Sequence, residues 1–356
     1  GFLTLPRSVL AWSRFPMKPV ARRKVKLILI LAPAGRPARE PSDDRGAGAG
    51  QAPEVPGATI GAVHATGNPL AELRLFVDPD SNARRQADKW RSERPEDARH
   101  MDTIASAPQG EWFGGWSGDV RAAVDREVTA ATADGAVALL VAYNIPERDC
   151  GNHSAGGLAS ADAYRAWIRA FGAGIGDRRA IVVLEPDALA LMDCLSREGQ
   201  AARTALLKDA IAVLESHPNV ATYVDAGHSA WHSAEVMTAR LKAVGVGRAD
   251  GFSLNVSNFR LTSGELVYGA AISEGTGGTH FVIDTSRNGA GSLSTEWCNP
   301  RGRALGERPT TLTGQPLADA YLWVKRPGES DGSCNEGPLA GSWWPEYALG
   351  LAQRSA

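Results

Sequence analysis

Short, near-continuous apolar runs alternating with amphipathic stretches constrain this chain more than any other feature. The runs are Leu73–Val77, Val137–Tyr143, Ala180–Leu184, Ala221–Val224, Gly251–Val256, His280–Ile283 and Ala320–Lys325. They are brief for helices and apolar at successive positions, as parallel strands covered on both faces require. Between the early ones, apolar residues recur at helical spacing over Asn82–Ser92, Asp119–Ala133, Ala161–Gly172, Ala201–Ser216 and Ala234–Val244. Alternation of this kind implies an α/β fold, and seven strand candidates favour an irregular β/α barrel over an open doubly wound sheet.

Residues 1–66 read differently. Met17 precedes a basic segment (Lys18, Arg22, Arg23, Lys24, Lys26), the apolar run Leu27–Leu31 and Ala32-Pro33-Ala34. That is the order of parts in a secretion signal, with a short apolar core; an untranslated leader is the alternative. Residues 35–66, rich in Gly, Ala, Pro and Arg, cannot build a core and are expected to be a disordered linker. The folded domain is therefore expected to span 67–356.

Composition excludes several classes. A net charge of −2 gives no ground for a nucleic-acid or anionic-membrane partner, and no apolar run is long enough to span a bilayer. The four cysteines, Cys150, Cys194, Cys298 and Cys334, include no CxxC pair, which argues against a zinc or thioredoxin-like site. Ten tryptophans outnumber eight phenylalanines, and flat indoles are natural platforms for sugar rings.

The residues just beyond each strand point to chemistry. The second strand leads to Arg148-Asp149 and the third to Glu185-Pro186-Asp187. The fourth ends at Asp225, the fifth carries Asn255, the sixth leads to Asp284, and the seventh to Glu329 and Asp331. In a β/α barrel these ends share the active-site face. Helix capping explains some strand-end aspartates; it does not explain so many, with Trp231, Trp297 and Trp323 beside them.

Three motifs are decoys. Gly328-Glu329-Ser330-Asp331-Gly332 matches a serine-hydrolase elbow, but no helix start comes after it and the last histidine of the chain, His280, lies before it. Asp225, His228 and His232 suggest a metal, yet Ser229 stands where a metalloprotease needs Glu, and Gly227 favours a turn. Gly172–Gly176 comes after a helix, which a phosphate loop does not. A carboxylate-rich cleft with aromatics is left, the equipment of a glycosidase.

Several segments resemble glycoside hydrolase family 6, the family of inverting endoglucanases and cellobiohydrolases. They are Tyr143–Cys150 with Ser154–Gly157 after it, Ile181–Ala190, Tyr223–Trp231, Asn255–Asn258, Trp297–Asn299, Arg308-Pro309 and Trp323–Gly332, in the family's order. The resemblance runs from about Asn68 to Leu351 and implies a distorted seven-stranded parallel β/α barrel, TIM-like. It implies Asp187 as general acid and Asp149 as its assistant in relaying a proton from the attacking water. Asp331 matches the disputed candidate base, and Asp225 an aspartate that shapes the field around the acid. Tyr143 would sit beside the distorted sugar and Ser154 would help to hold the water. His228, Trp231, Asn255, Trp297, Lys325 and Glu329 match substrate-contacting positions. The resemblance also pairs Cys150 with Cys194 and Cys298 with Cys334, and implies no cofactor and no metal.

The physics suits these roles. Inversion needs a protonated carboxyl and a deprotonation route on the opposite face, with about 6.5–9.5 Å between the two carboxyls. Asp149 and Asp225 are expected to raise the pKa of Asp187, and Arg148 to keep one neighbour ionised. Exo-acting members of the family these segments resemble close the cleft into a tunnel with long insertions, so the compact inter-motif segments here, with only 11 residues from Asp331 to Ser342, imply an open cleft. The expected protein is a secreted, monomeric endo-β-1,4-glucanase acting on cellulose or a related β-glucan. The rivals are an exo-acting cellobiohydrolase, a non-catalytic carbohydrate binder on the same fold, and a retaining glycosidase with carboxyls about 5–5.5 Å apart.

Overall fold

Successive residues of a strand face opposite sides of a sheet, and here both sides are apolar. The computed structural model describes residues 67–292 and 295–355; the expected signal and linker lie outside the described residues. Seven strands form one wholly parallel sheet in chain order: β1 (Glu111–Phe113), β2 (Ala138–Ala142), β3 (Ala180–Leu184), β4 (Val220–Asp225), β5 (Gly251–Leu254), β6 (His280–Asp284) and β7 (Ala318–Leu322). Leu139, Val141, Ile181, Val183, Val282, Ala320 and Leu322 form one buried cluster, closed below by Leu70 and Leu75. Leu140, Val182, Leu184, Val224, Phe252, Leu254 and Ile283 belong to the other, packed on the helices.

Those helices are α3 (Val120–Ala133), α4 (Ala161–Ile175), α5 (Arg197–Leu214), α6 (Ala234–Val244) and α7 (Thr262–Thr276). The starts of α4, α5 and α6 are set by capping: the hydroxyls of Ser160, Ser196 and Ser233 accept the N–H groups of Ala163, Gly199 and Val236. Three more helices, α1 (Asn82–Trp90), α2 (Pro95–Ala105) and α8 (Pro345–Gln353), form a separate apolar cluster with Leu305 and Trp323.

The barrel is distorted because β1 and β7 do not form a ladder. One backbone bond spans the seam, from Gly110 N–H to Trp323 O at 2.9 Å, and the Trp112 indole N–H donates to Val324 O at 2.9 Å. A Cβ on Gly110 would lie 2.5 Å from Val324 O, so only glycine permits this approach.

Two expectations about the strands need correction. Leu73–Val77 is not a strand; it contributes a single parallel bridge, Leu75 to Val137. Its place as first strand is taken by Glu111–Phe113, whose three residues are too few to display a period. The count of seven stands through this exchange. The last strand also starts and ends earlier than the Ala320–Lys325 run, leaving Lys325 beyond the sheet.

Register fixes where the chemistry emerges. Ala142, Leu184 and Val224 lie in one row, Asp225 pairs with Ser253, Leu254 with Ile283, and Asp284 with Leu322. Every residue just past a strand therefore leaves at the same edge.

Candidate active site

Beyond the strand ends the backbone turns through the left-handed region at Asp149 (φ 57°), Glu185 (φ 49°), Asp187 (φ 68°) and Asn255 (φ 64°). Non-glycine residues hold such angles at a cost of about 1–3 kcal/mol each, and only when their surroundings over-determine them. Glu185 shows how. It is 1% exposed and accepts the N–H groups of Asn144 and Ile145 at 3.0 Å, tying the end of β3 to the end of β2. Burial pushes its pKa up to about 7.

A cleft of about 1000 Å³ opens at this edge. Asp187, Asp149, Asp331, Tyr143, Ser154, His228, Trp231, Trp297, Lys325 and Glu329 all line it. Burial first, then the charges of Asp225, Asp149 and Asp331, drive the Asp187 pKa well above the ordinary carboxyl value; Lys325 opposes them. On balance these causes favour the protonated form of the Asp187 carboxyl.

Asp225 does not line the cleft. It is 1% exposed and sits behind Asp187, accepting the Asp187 N–H at 2.9 Å and the Gly227 N–H at 3.1 Å on one oxygen. Ser253 Oγ donates to the other at 3.3 Å. Burial raises its own pKa to about 7.

Asp149 is half-buried, and its Oδ2 accepts the Ser154 N–H at 2.7 Å. Burial lifts its pKa, against the hydrogen bonds from Ser154 and Asn152. Arg148 acts on Asp149 in the expected direction, its charge opposing the rise in that carboxyl's pKa, though without a direct ion pair. Its guanidinium donates to the carbonyls of Tyr143, Ser154 and Ala155 at 2.8, 2.8 and 3.3 Å, and so braces the loop instead of pairing with a carboxylate.

Asp331 is held from three sides. Its Oδ2 accepts Arg287 Nη1 at 2.9 Å and the Asn299 N–H at 3.0 Å, while Lys325 Nζ lies 3.8 Å from Oδ1. Burial lowers the Lys325 pKa, with the charges of Asp331 and Glu329 working the other way. Glu329 accepts Arg326 Nη1 at 3.0 Å.

The aromatic wall is only partly the expected one. Trp297 is 42% exposed, and Trp231 packs on Gly227, whose φ of 66° forms the turn after β4. His228 Nδ1 accepts the Ala230 N–H at 3.2 Å; burial, then the charge of Arg260, lowers its pKa to about 4. Asn255 is fully buried and outside the cleft lining. Its amide donates to the Asp284 and Arg260 carbonyls at 2.8 and 3.2 Å, so it shapes the loop beneath the cleft.

Sequence reasoning missed Trp112, Trp116 and Glu111, which line the cleft from β1 and the turn after it. Trp116 is 59% exposed. It also missed Arg287, which is fully buried beneath Asp331. The one signal for Arg287 was a charged residue three positions beyond Asp284 at a strand end.

Both disulfides join the pairs that the resemblance implied, Cys150–Cys194 and Cys298–Cys334. Among the described residues, the one cluster with metal-ligand geometry is His153 with Cys298 and Cys334, and disulfide sulfurs are poor metal ligands. His232 bonds to the Ala190 carbonyl at 2.7 Å and does not join Asp225 and His228 in a ligand set. Among the described residues, no helix is long and apolar enough to cross a membrane.

The family model for glycosyl hydrolases family 6 matches residues 70–355. Endoglucanase A of Thermobispora bispora is 44% identical over 308 residues, 84% of this chain and 65% of that protein. Endoglucanase A of Cellulomonas fimi is 45% identical over 284 residues, 79% of this chain and 61% of that protein. The chain thus spans less than two thirds of either relative's length. The endoglucanase Cel6 from Mycobacterium tuberculosis, solved with methyl-cellobiosyl-4-deoxy-4-thio-β-D-cellobioside, superposes with a TM-score of 0.77 at 50% identity. That match covers 81% of this chain and 99% of the other. Barrel, strand-end carboxyls and family match agree, and the chain belongs to glycosyl hydrolases family 6.

Proposed function

We propose that this protein is an inverting endo-β-1,4-glucanase, secreted as a monomer, with residues 67–356 as its catalytic domain. The observation that carries the reading is the Asp187 carboxyl in an aromatic cleft, its pKa driven upward by burial and by the charges of Asp225, Asp149 and Asp331. Asp187 donates its proton to the leaving glycosidic oxygen as the C–O bond breaks. A water attacks the anomeric carbon from the opposite face, so the product's configuration inverts.

Two cleft carboxyls other than Asp187 are candidates for taking up the water's proton, and the geometry favours a route through Asp149. Asp331 has one oxygen committed to Arg287 and Asn299 and the other facing Lys325. Asp149 takes part in no ion pair among the described residues, and Ser154 beside it also faces the cleft. Tyr143, gripped edge-on by Trp112 with ring centroids 5.2 Å apart, gives a rigid wall for the sugar at the cleavage point. His228, Trp231, Trp297, Lys325 and Glu329 would hold the glucan chain, and neither a metal nor a cofactor is needed.

Endo action is supported by the segment after Asp331. Ser330 N–H donates to Ser342 O and Gly341 N–H to Ser330 O, both at 2.9 Å, so residues 330–342 fold back on themselves. Closed at its base after so few residues, the segment is short for a tunnel roof. The same family's cellobiohydrolases provide the alternative, exo action, and viscometry separates the two. An endo enzyme lowers the viscosity of carboxymethylcellulose before much reducing sugar appears. Slow viscosity loss with cellobiose as the dominant early product would overturn the assignment.

A further inference from the structure

The turn from Gly227 to His232 holds His228 and Trp231 in the cleft, and its amides are caught one by one. Gly227 N–H donates to Asp225 at 3.1 Å, Ala230 N–H to His228 Nδ1 at 3.2 Å, and Trp231 N–H to the His228 carbonyl at 3.0 Å. Each of those acceptors belongs to the turn or to the strand that feeds it. Ser229 differs. Its N–H points at both oxygens of Glu265, 3.1 and 3.2 Å away, and its hydroxyl bonds to the same carboxyl.

Glu265 comes from the first turn of α7, 36 residues further along the chain, and has no exposed surface. An apolar side chain there would pack without the penalty of burying a carboxyl. The groups facing it are few: Arg260, whose charge favours the ionised form, Ser229, and Tyr268 one turn along the same helix. Nothing in proton donation by Asp187 employs this carboxyl.

We infer that Glu265 is a positioning residue: through Ser229 it fixes the turn that sets His228 and Trp231 in the cleft, and so governs how tightly the glucan is held. The kinetic part of this inference rests on the glucanase reading; the structural part does not.

The test compares the full-length wild type with Glu265→Gln, Glu265→Ala and, as a control on the exposed side of the same helix, Glu274→Gln. On soluble cello-oligosaccharides, Glu265→Ala raises KM about ten-fold and leaves kcat within about three-fold, the signature of lost uniform binding. Asp187 and Asp225 keep their own contacts in that variant. Glu265→Gln retains an acceptor oxygen and falls between wild type and alanine, while the control matches wild type. NMR supplies a readout free of activity. In the wild type, His228 titrates near 4 because it is buried and faces Arg260. Release of the turn hydrates the ring and moves its midpoint up by about one unit or more. Loss of a helix contact alone would lower the Tm and leave this titration in place. If Glu265→Ala does not fold, Glu265→Gln decides on the same two readouts. A folded variant with unchanged KM and unchanged His228 titration would overturn the inference. A wild type that cleaves no β-1,4-glucan, together with a shifted His228 in the variant, would sink the function and support the clamp.

Discussion

Arg287 Nη1 lies 2.9 Å from Asp331 Oδ2, between side chains that are 0% and 3% exposed. Two charges taken this far out of water depend on each other, and removing either strands its partner. Arg287 gains further anchorage from the Ser257 carbonyl and from the Phe259 ring, 4.4 Å from the guanidinium carbon.

Arg287→Met should therefore cost about 3–5 kcal/mol of stability, the range for breaking a buried pair. Adding Asp331→Asn should return part of that loss, because no unpaired charge then remains. Urea unfolding of the two single variants and the double variant closes the cycle. Additive losses would mean that the pair does not act as a unit.

The pH dependence of stability has a definite sign. Glu127, Glu185, Glu215, Asp225 and Glu265 each have a pKa raised to about 7, with burial the leading cause. The folded state keeps protons that unfolded carboxyls release near pH 4. Their stabilisation is full below about pH 4 and is lost as pH rises through about 7. His228 acts oppositely: with a pKa lowered to about 4, its contribution is full above about 6.5 and lost as pH falls. Five groups outweigh one, so the urea midpoint should be higher at about pH 5.5 than at about pH 8. The reverse order would show that the buried carboxyls are not held protonated.

Both disulfides tie loops of the cleft. Cys150–Cys194 anchors the segment that bears Asp149, and Cys298–Cys334 joins the Asn299 segment to the one that bears Asp331. Reduction should lower the Tm, with about 2–5 kcal/mol lost per bridge. Peptide mapping without reductant should recover these two pairs and no free thiol.

The barrel was legible where the physics is periodic. Buried parallel strands announce themselves as unbroken apolar runs, and Ala180–Leu184 and Ala234–Val244 coincide with β3 and α6. What stayed hidden is what tertiary contact decides. Glu111–Phe113 is a strand because β2 pairs with it, and the Gly- and Ser-containing stretch Thr262–Thr276 is helical with little apolar periodicity of its own. In the site, residues at strand ends were readable, since a barrel gathers them on one rim. Arg287 and Glu265 were not readable, since each acts through a partner far along the chain, Asp331 or Ser229.

Asp149 and Asp331 separate by kinetics. On the role proposed for Asp149 at the water, Asp149→Asn should lose activity on activated aryl cellosides as well as on unactivated chains, and its pH profile should be distorted. Asp331→Asn should show no azide rescue if its role is to hold charge beside Arg287. Recovery of an inverted glycosyl azide from that variant would identify Asp331 as the base.

The central claim is that Asp187 gives its proton to the leaving oxygen, and one comparison tests it most directly. Wild type and Asp187→Asn are given unactivated cello-oligosaccharides and aryl cellosides, with product anomers resolved by NMR. The account predicts α-anomers from the wild type and a loss of roughly 10²–10⁴-fold for Asp187→Asn on the unactivated substrates. On the aryl cellosides, whose leaving group departs with little need of a proton, that loss should shrink. Near-wild-type hydrolysis of unactivated cello-oligosaccharides by Asp187→Asn, or β-anomers from the wild type, would contradict it.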